Sequence, residues 1–278
     1  MTTTNVKIGL IQAKASPDKQ ENIDKAIINI KEAAAKGAKI ICLQELFNTL
    51  YLAQEINIDN FSLAEQIPGF TTHQLCPLAK KLSIYLIVPI FEVENRHFYN
   101  SAVVIDPEGE IIGKYRKNHI PQNAGYQEKY YFRPGNLGYP VFETPYCKFG
   151  ISLCWDQWFV EPQRAYGKQG CHIVFSPTAI GFCDYTDVSI DKDYLEIWKT
   201  MFKGQCIQNG IYFAIANRVG RENNIEFYGK SAVYAPRGDI VEELGGEEDI
   251  LIADIDIDKC REWLDHQQFW RDTRRNII

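Results

Sequence analysis

Short apolar segments alternate along the chain with longer segments that are apolar on one face only. Residues 6–12 and 40–43 are short and apolar, which is typical of buried strands. The segment between them repeats its apolar residues with helical spacing and ends at Gly37, which predicts a helix. The same reasoning predicts a helix over about residues 71–82 and strands over residues 84–91, 99–105 and 111–115. This alternation indicates an α/β fold.

The second half of the chain repeats the pattern of the first. Three pairs of segments match in the same order: 148–151 with 7–10, 170–174 with 37–41, and 231–240 with 101–111. A single match is weak evidence, because strands and turns are built from few residue types and such matches arise by chance. Three in order predict two similar βαβ-rich halves in a single domain spanning residues 1–278, with two sheet layers covered by helices.

Cys154 is a candidate nucleophile because of where it lies. It ends an apolar run, and Pro162 soon follows, which predicts a strand, a tight elbow and a helix with proline in its first turn. Such an elbow presents one side chain beside backbone N–H groups that have no partner yet, so a thiol there could react next to an oxyanion site. A buried core cysteine remains the alternative.

Two charged residues are candidates for the same site. Glu45 follows the second predicted strand. Lys117 lies near the start of a loop over residues 116–138 that is rich in proline, glycine, asparagine and tyrosine. The carboxyl ends of strands line the ligand crevice of open α/β sheets, so these residues could face Cys154. Together they would supply a base, a cation and a nucleophile without a metal. Taken singly, each could instead be a solvated surface charge.

Composition narrows the class of protein. The 278 residues are 45% hydrophobic and 24% charged, with a net charge of −6, which argues against a nucleic acid partner. No apolar run is long enough to span a membrane, and the N-terminus has no secretory signal pattern. The eight cysteines are scattered, without a C-x-x-C pair or metal-ligand spacing, which favours a cytoplasmic protein without a metal or other cofactor.

Several motifs together carry a family resemblance. They are residues 44–47, 115–121, 125–132, 154–159, 177–181 and 217–220. In these segments the chain resembles the nitrilase, or carbon–nitrogen hydrolase, superfamily, and within it the N-carbamoylputrescine amidohydrolases. The resemblance implies a four-layer αββα sandwich that assembles into a homodimer or a larger homo-oligomer. We expect the C-terminal tail, from about residue 258, to take part in those contacts.

The resemblance also implies roles for individual residues. Glu45 would be the general base, Lys117 the stabiliser of the oxyanion and Cys154 the nucleophile. Glu128 matches a further glutamate that holds the site in position. The backbone N–H of Trp155 would be the second oxyanion donor. The implied reaction is hydrolysis of N-carbamoylputrescine to putrescine, carbon dioxide and ammonia, a step of polyamine biosynthesis.

The segment expected to bind the far end of the substrate departs from the family. Relatives usually continue the 178–181 motif with Ser-Glu-Pro, whose glutamate is thought to meet the substrate amine, but this chain has a different sequence at 182–185. Asp184 or Asp187 would have to replace that glutamate. Tyr51 and Trp158 could line the pocket, although an aromatic residue near an elbow is more often part of the core.

Two other functions stay open at the level of sequence. One is a sibling amidohydrolase that acts on N-carbamoyl-β-alanine, whose carboxylate would need a cation, or on a simple linear amide. The other is a non-catalytic member that serves as a binding or assembly partner, which the presence of Glu45, Lys117 and Cys154 together disfavours.

Overall fold

The computed structural model describes residues 5–185 and 188–272, with only the backbone of residues 188–192. The strands in chain order are β1 (Asn5–Gln12), β2 (Ile40–Cys42), β3 (Tyr85–Glu94), β4 (His97–Ile105), β5 (Ile111–Arg116), β6 (Phe142–Glu143), β7 (Lys148–Ile151), β8 (Ile173–Thr178), β9 (Gly181–Cys183), β10 (Tyr212–Asn217), β11 (Val219–Glu222), β12 (Ile225–Tyr228), β13 (Ala232–Tyr234), β14 (Ile240–Glu243) and β15 (Asp249–Asp256). The helices are α1 (Lys19–Ala35), α2 (Phe70–Leu82), α3 (Glu128–Tyr131), α4 (Val160–Lys168), α5 (Val188–Asn209), α6 (Asp258–Gln267) and α7 (Phe269–Asp272), with short 3₁₀ helices at Leu52–Gln54, Ile58–Leu63 and Cys154–Trp158.

Two six-stranded sheets repeat one topology. The first has the order β15-β1-β2-β3-β4-β5 and the second β14-β13-β10-β8-β7-β6. In the first sheet β1, β2 and β3 are parallel, and β4 and β5 continue antiparallel; in the second, β7, β8 and β10 are parallel, and β13 and β14 continue antiparallel. An irregularity in register occurs in both outer pairs, β4–β5 and β13–β14. The two similar halves expected from the sequence are therefore confirmed.

The two sheets pack face to face around a shared core. Because side chains alternate along a strand, Ile40 and Cys42 of β2 enter this core, whereas Ile41 and the following Leu43 face the helices. The first half thus buries both faces of its sheet, which explains why its parallel strands read as continuous apolar runs. Helices α1 and α2 cover the first sheet and α4 and α5 cover the second. The result is the four-layer αββα arrangement that the resemblance implied.

The strand before Cys154 packs tightly against the helix that follows it. A Cβ atom at Gly150 of β7 would approach the ring of Tyr166 in α4 to 2.4 Å, so only glycine allows this contact. The Tyr166 hydroxyl donates to the carbonyl oxygen of Ile151 over 2.6 Å. These contacts fix the direction in which the chain leaves β7 and enters the elbow.

The remaining elements complete the fold. Strands β11, β12 and β9 form a small antiparallel sheet beside the ends of β8 and β10. The predicted long loop contains the short helix α3. Its four residues are too few to show helical periodicity in the sequence. Among the described helices, none combines the length and apolar character that crossing a bilayer needs. The described part of the C-terminal tail forms α6 and α7, and its role in assembly stays a prediction.

Candidate active site

Three strand ends bring the candidate catalytic residues to one place. Glu45 follows β2, Lys117 directly follows β5, and Cys154 follows β7 after two residues. The pKa of the Cys154 thiol responds to the charges of Glu45 and Lys117, which places the three groups in one electrostatic environment. The structure brings these three strand ends together, although the strands belong to two different sheets.

Lys117 lies between two carboxylates. Its Nζ atom is 2.9 Å from Oε1 of Glu45, and 2.9 and 2.8 Å from the two oxygens of Glu128. All three side chains have no exposed surface. A buried charge is costly unless it is paired, so the ammonium and the carboxylates depend on each other.

This arrangement shifts the pKa values of the cluster. Burial lowers the pKa of Lys117, but Glu128 and Glu45 outweigh burial, so its pKa is raised and the side chain stays protonated. Burial, with a smaller contribution from Glu45, raises the pKa of Glu128 to about 7, although Lys117 opposes the shift. Glu128 therefore holds a proton more readily than an isolated glutamate would.

Two neutral side chains orient the carboxylates. The Tyr51 hydroxyl donates to Oε1 of Glu128 over 2.7 Å, and Asn100 Nδ2 donates to Oε1 of Glu45 over 2.7 Å. Tyr51 was predicted as a pocket residue, and the structure brings its hydroxyl to Glu128. Asn100 was missed, because a polar residue within an apolar strand gives no sign of its partner 55 residues away.

Cys154 occupies a strained elbow. Its φ of 43° lies in the left-handed region, which is unusual for a residue other than glycine. Burial, then Glu45, raises the pKa of the thiol well above its usual range, and Lys117 opposes this shift. The thiol is consequently protonated at rest and needs a base before it can attack. Its Sγ atom lies 3.9 Å from the carbonyl oxygen of Ala179.

Asp156 ties the elbow to the segment that carries Lys117. Its Oδ2 accepts hydrogen bonds from the Tyr115 hydroxyl at 2.7 Å and from the Leu153 N–H at 3.2 Å, and its Oδ1 accepts the N–H of His119 at 2.8 Å. The carboxylate is fully buried. Tyr115 and His119 flank Lys117 by two residues on either side, so Asp156 sets the spacing between the ammonium and the thiol.

A cavity of about 440 Å³ opens onto the Cys154 thiol. Its lining is mainly apolar and aromatic and consists of Pro121, Asn123, Ala124, Tyr126, Cys154, Trp155, Ile180, Gly181, Cys183 and Tyr194. Trp155 is the second residue of the 3₁₀ helix that starts at Cys154, so its N–H has no acceptor within that helix. Volume and lining suit a small amide-bearing molecule with a short carbon chain.

The other predicted substrate-binding residues lie elsewhere. The Trp158 ring packs behind the lining, with centroids 6.2 Å from Trp155 and 5.3 Å from Tyr194. Asp184 is half-exposed and forms an ion pair with Arg221 instead of joining the lining. Asp187 lies outside the described residues. Among the residues whose side chains are described, no cluster of three or more histidine, cysteine or acidic groups could hold a metal ion.

Comparison with known sequences supports an enzyme class. A carbon-nitrogen hydrolase family model matches residues 7–265. The N-carbamoylputrescine amidase of Solanum lycopersicum is 37% identical over 98% of this chain and 93% of its own length. The citrullinase of Francisella tularensis is 36% identical over 98% of this chain and 96% of its own. Human omega-amidase is 32% identical over 99% and 97%.

Solved structures agree with the sequence comparison. A carbon-nitrogen hydrolase from Helicobacter pylori G27 superposes with a TM-score of 0.94 at 32% identity, covering 98% of this chain and 97% of its own. An amidase from Nesterenkonia sp. AN1, in a variant with the acetamide moiety of fluoroacetamide covalently added at its active-site cysteine, gives a TM-score of 0.80 at 25% identity, covering 98% and 97%. The chain belongs to the carbon–nitrogen hydrolase family, within the nitrilase superfamily, and is an enzyme of that class.

Proposed function

We propose that this carbon–nitrogen hydrolase converts N-carbamoylputrescine to putrescine, carbon dioxide and ammonia through a covalent intermediate on Cys154. The observation that carries the proposal is the buried cluster in which Lys117 bridges Glu45 and Glu128 beside a protonated thiol at a cavity of amide size. Such a cluster supplies a base, a cation and a nucleophile. The similarity to plant N-carbamoylputrescine amidases over nearly the whole chain supports the choice of substrate.

The first half of the reaction forms the intermediate. Glu45 takes the thiol proton as Sγ of Cys154 attacks the carbamoyl carbon, because the raised pKa of the thiol leaves little thiolate at rest. The Lys117 ammonium and the Trp155 N–H face the negative charge that develops on the oxygen. Collapse of the tetrahedral species breaks the bond to the terminal nitrogen. That nitrogen takes the proton held by Glu45 and leaves as ammonia, with a carbamoyl thioester on Cys154.

The second half releases the amine. Glu45, ionised again, takes a proton from water as the water oxygen attacks the thioester carbon. Collapse returns the proton to sulfur and releases a carbamic acid, which separates into putrescine and carbon dioxide. Glu128 stays in place and keeps Lys117 charged and oriented through two hydrogen bonds. No step of this sequence calls for a metal or another cofactor.

A second substrate class is favoured by one observation. The cavity lining contains no acidic side chain among the described residues, and Asp184 is already paired with Arg221. A buried ammonium is met most strongly by an anionic partner, and the aromatic residues of the lining would attract it less, so a substrate with a neutral or differently charged far end is a competitor. Citrulline and simple linear amides belong to this class, in keeping with the citrullinase and omega-amidase relatives.

We further propose that the enzyme works as a homo-oligomer in the cytoplasm. Val160 of α4 and Ile197 of α5 are large apolar side chains exposed on two helices that pack together, so a second copy would remove apolar surface from water there. The scattered cysteines suit a reducing compartment. Light scattering coupled to gel filtration tests the assembly.

Ammonia release tests the substrate directly. Purified enzyme would be assayed side by side on N-carbamoylputrescine, N-carbamoyl-β-alanine, citrulline and butyramide, with the Cys154→Ala variant as the blank. We expect kcat/KM for N-carbamoylputrescine to exceed that for each of the others by at least about 10-fold, equivalent to roughly 1.4 kcal/mol of transition-state binding. A higher value for citrulline or butyramide would move the assignment to that substrate class.

A further inference from the structure

Arg218 is a buried arginine outside the cluster described above. It lies between β10 and β11 and has no exposed surface. Its Nη2 donates to the carbonyl oxygens of Glu45 at 3.0 Å and Leu46 at 2.7 Å, and its Nη1 donates to the carbonyl oxygen of Thr49 at 3.0 Å. Three of its hydrogen bonds therefore end on a single backbone segment, more than 165 residues earlier in the chain.

That segment, residues 45–51, lacks regular secondary structure. Leu46 adopts a φ of 49°, in the left-handed region that is unfavourable for a residue with a side chain. The turn is buried, and carbonyl groups in a buried turn need donors that no strand or helix supplies here. The guanidinium group of Arg218 supplies those donors in one rigid plane.

Both ends of the segment deliver a group to the active site. Glu45, at one end, holds Lys117 with its side chain, and Tyr51, at the other, donates its hydroxyl to Glu128. Glu222 completes the frame, because its Oε1 accepts from Nη1 of Arg218 at 2.6 Å and its Oε2 accepts the N–H of Tyr51 at 2.6 Å. One ion pair thus fixes the backbone at both ends of the turn.

We propose that Arg218, with Glu222, is a positioning residue for catalysis: it sets the carboxylate of Glu45 and the hydroxyl of Tyr51 against Lys117 and Glu128. This inference rests on the proposed role of Glu45 as the base. Arg218 itself does not line the cavity, so its effect passes through the turn. Replacement of Arg218 should therefore reduce turnover with little change in substrate binding.

The substitution that tests this is Arg218→Lys. It keeps the positive charge beside Glu222 but replaces a planar fork with a single ammonium, which cannot serve the carbonyl groups of Glu45, Leu46 and Thr49 at once. A misplacement of about 1 Å at a catalytic group can cost about 100-fold in rate, so we expect kcat to fall by about 10- to 100-fold. KM should stay within about threefold, because the cavity lining is untouched.

The matched control is Arg221→Lys. Arg221 lies on the neighbouring strand β11 and is half-exposed, and it pairs with Asp184 and Glu226 away from the turn. The Arg221→Lys variant should retain wild-type kcat. Circular dichroism and the melting temperature of both variants separate a misplaced turn from a failure to fold. If Arg218→Lys is not recovered folded, Glu222→Gln, which keeps the shape and loses the charge, is measured in its place.

A second readout isolates the path through Glu45. Alkylation of Cys154 by iodoacetamide, followed by peptide mass spectrometry, stays measurable even when turnover does not. Arg218→Lys should slow alkylation by about 10-fold or more in the wild-type background. In the Glu45→Gln background it should slow alkylation by less than about threefold, because the carboxylate that Arg218 positions is then already absent. If Arg218→Lys slows alkylation by the same factor in both backgrounds, the positioning role is overturned, but the proposed role of Glu45 is not. Wild-type alkylation and turnover in Glu45→Gln would overturn the proposed role of Glu45.

Discussion

The Nζ atom of Lys117 lies 2.9 Å from Oε1 of Glu45, while Oε2 of the same carboxylate has no hydrogen-bond partner among the described residues. One oxygen is therefore held by Lys117 and by Asn100, and the other is buried with its lone pairs available. A buried, unpartnered carboxylate oxygen in a native protein calls for an explanation. A proton acceptor for the Cys154 thiol, and later for water, provides one.

The first prediction follows from that free oxygen. Glu45→Gln keeps the shape and most hydrogen bonds but cannot take a proton, and general base catalysis contributes about 100- to 10,000-fold, so kcat should fall within that range. KM should change little. Ammonia release under saturating substrate checks this, with Glu226→Gln, a half-exposed glutamate on β12, as the control. A Glu45→Gln enzyme with kcat close to wild type would remove Glu45 from the chemistry.

The second prediction concerns the nucleophile. Cys154→Ala and Cys154→Ser should fold and be inactive, because neither side chain offers a thiolate to the carbamoyl carbon. Cys76→Ser is the control, since Cys76 lies on α2, far along the chain from the elbow, and is only partly buried. Activity above about a tenth of wild type in Cys154→Ala is incompatible with covalent catalysis, whose nucleophile typically accounts for a factor of about a million.

Positions in the site differ in how far the sequence could predict them. Glu45, Lys117 and Cys154 each follow an apolar run, and a strand end is visible as the place where such a run stops. Glu45 and Lys117 follow strands of the first sheet that run in the same direction, so the rule that such strands present their carboxyl ends at one edge accounts for their meeting. Cys154 comes from the second sheet, and its approach depends on how the two sheets pack. The three pairs of matching segments likewise predicted two sheets of the same topology, because each half has to bury both faces of its sheet.

The groups that orient these residues could not be predicted in the same way. Asn100, Asp156 and Arg218 sit in the middle of a strand, in a 3₁₀ turn and at a strand junction, respectively. Each bonds to a segment of the active site that lies 37 to 173 residues away along the chain. Hydrogen-bond partners at such distances depend on tertiary packing, for which local periodicity carries no signal. Arg218 was part of a recognised motif, but the motif alone did not indicate what the side chain holds.

The third prediction concerns pH. Glu128, with a pKa raised to about 7 chiefly by burial, has to be ionised to hold Lys117, so kcat/KM should decline as pH falls below about 7. Tyr51→Phe removes a donor that lowers this pKa. A hydrogen bond to a charged group is worth roughly 1.5–3 kcal/mol, so the acid limb should move up by about one to two pH units. Tyr212→Phe, which loses a buried hydroxyl bonded to the Asp256 carbonyl, should leave it unmoved.

The fourth prediction applies the same pKa to stability. The folded protein keeps a proton on Glu128 between pH 4.5, its ordinary pKa, and about 7, whereas the unfolded chain releases it. Binding of this proton stabilises the folded state. The stabilisation is fully present below pH 4.5 and is lost as pH rises through about 7. Glu128→Gln abolishes the titration, so the free energy of unfolding of wild type relative to Glu128→Gln should fall across that window, by at most about 3 kcal/mol. Urea titrations at a series of pH values test this, and parallel profiles would contradict it.

The last prediction separates the two aspartates proposed for the substrate amine. The Asp184 carboxylate is paired with Arg221 at the surface, so its charge is already compensated and screened by water. Asp184→Asn should therefore change KM for N-carbamoylputrescine by less than about twofold, within the roughly 0.5 kcal/mol typical of surface substitutions. Asp187→Asn should raise KM by about 10- to 150-fold if Asp187 meets the ammonium, the loss expected of a charge-assisted bond.

A neutral substrate distinguishes charge recognition from damage to the cavity. N-carbamoylbutylamine has the carbamoyl group and carbon chain of N-carbamoylputrescine without the far amine, so its KM should be the same in wild type and in both variants. If both Asn variants treat the cationic and neutral substrates alike, neither Asp184 nor Asp187 reads the amine. The aromatic faces of Tyr126, Trp155 and Tyr194 would then be the remaining lining groups able to attract a cation, at roughly 0.5–2 kcal/mol each.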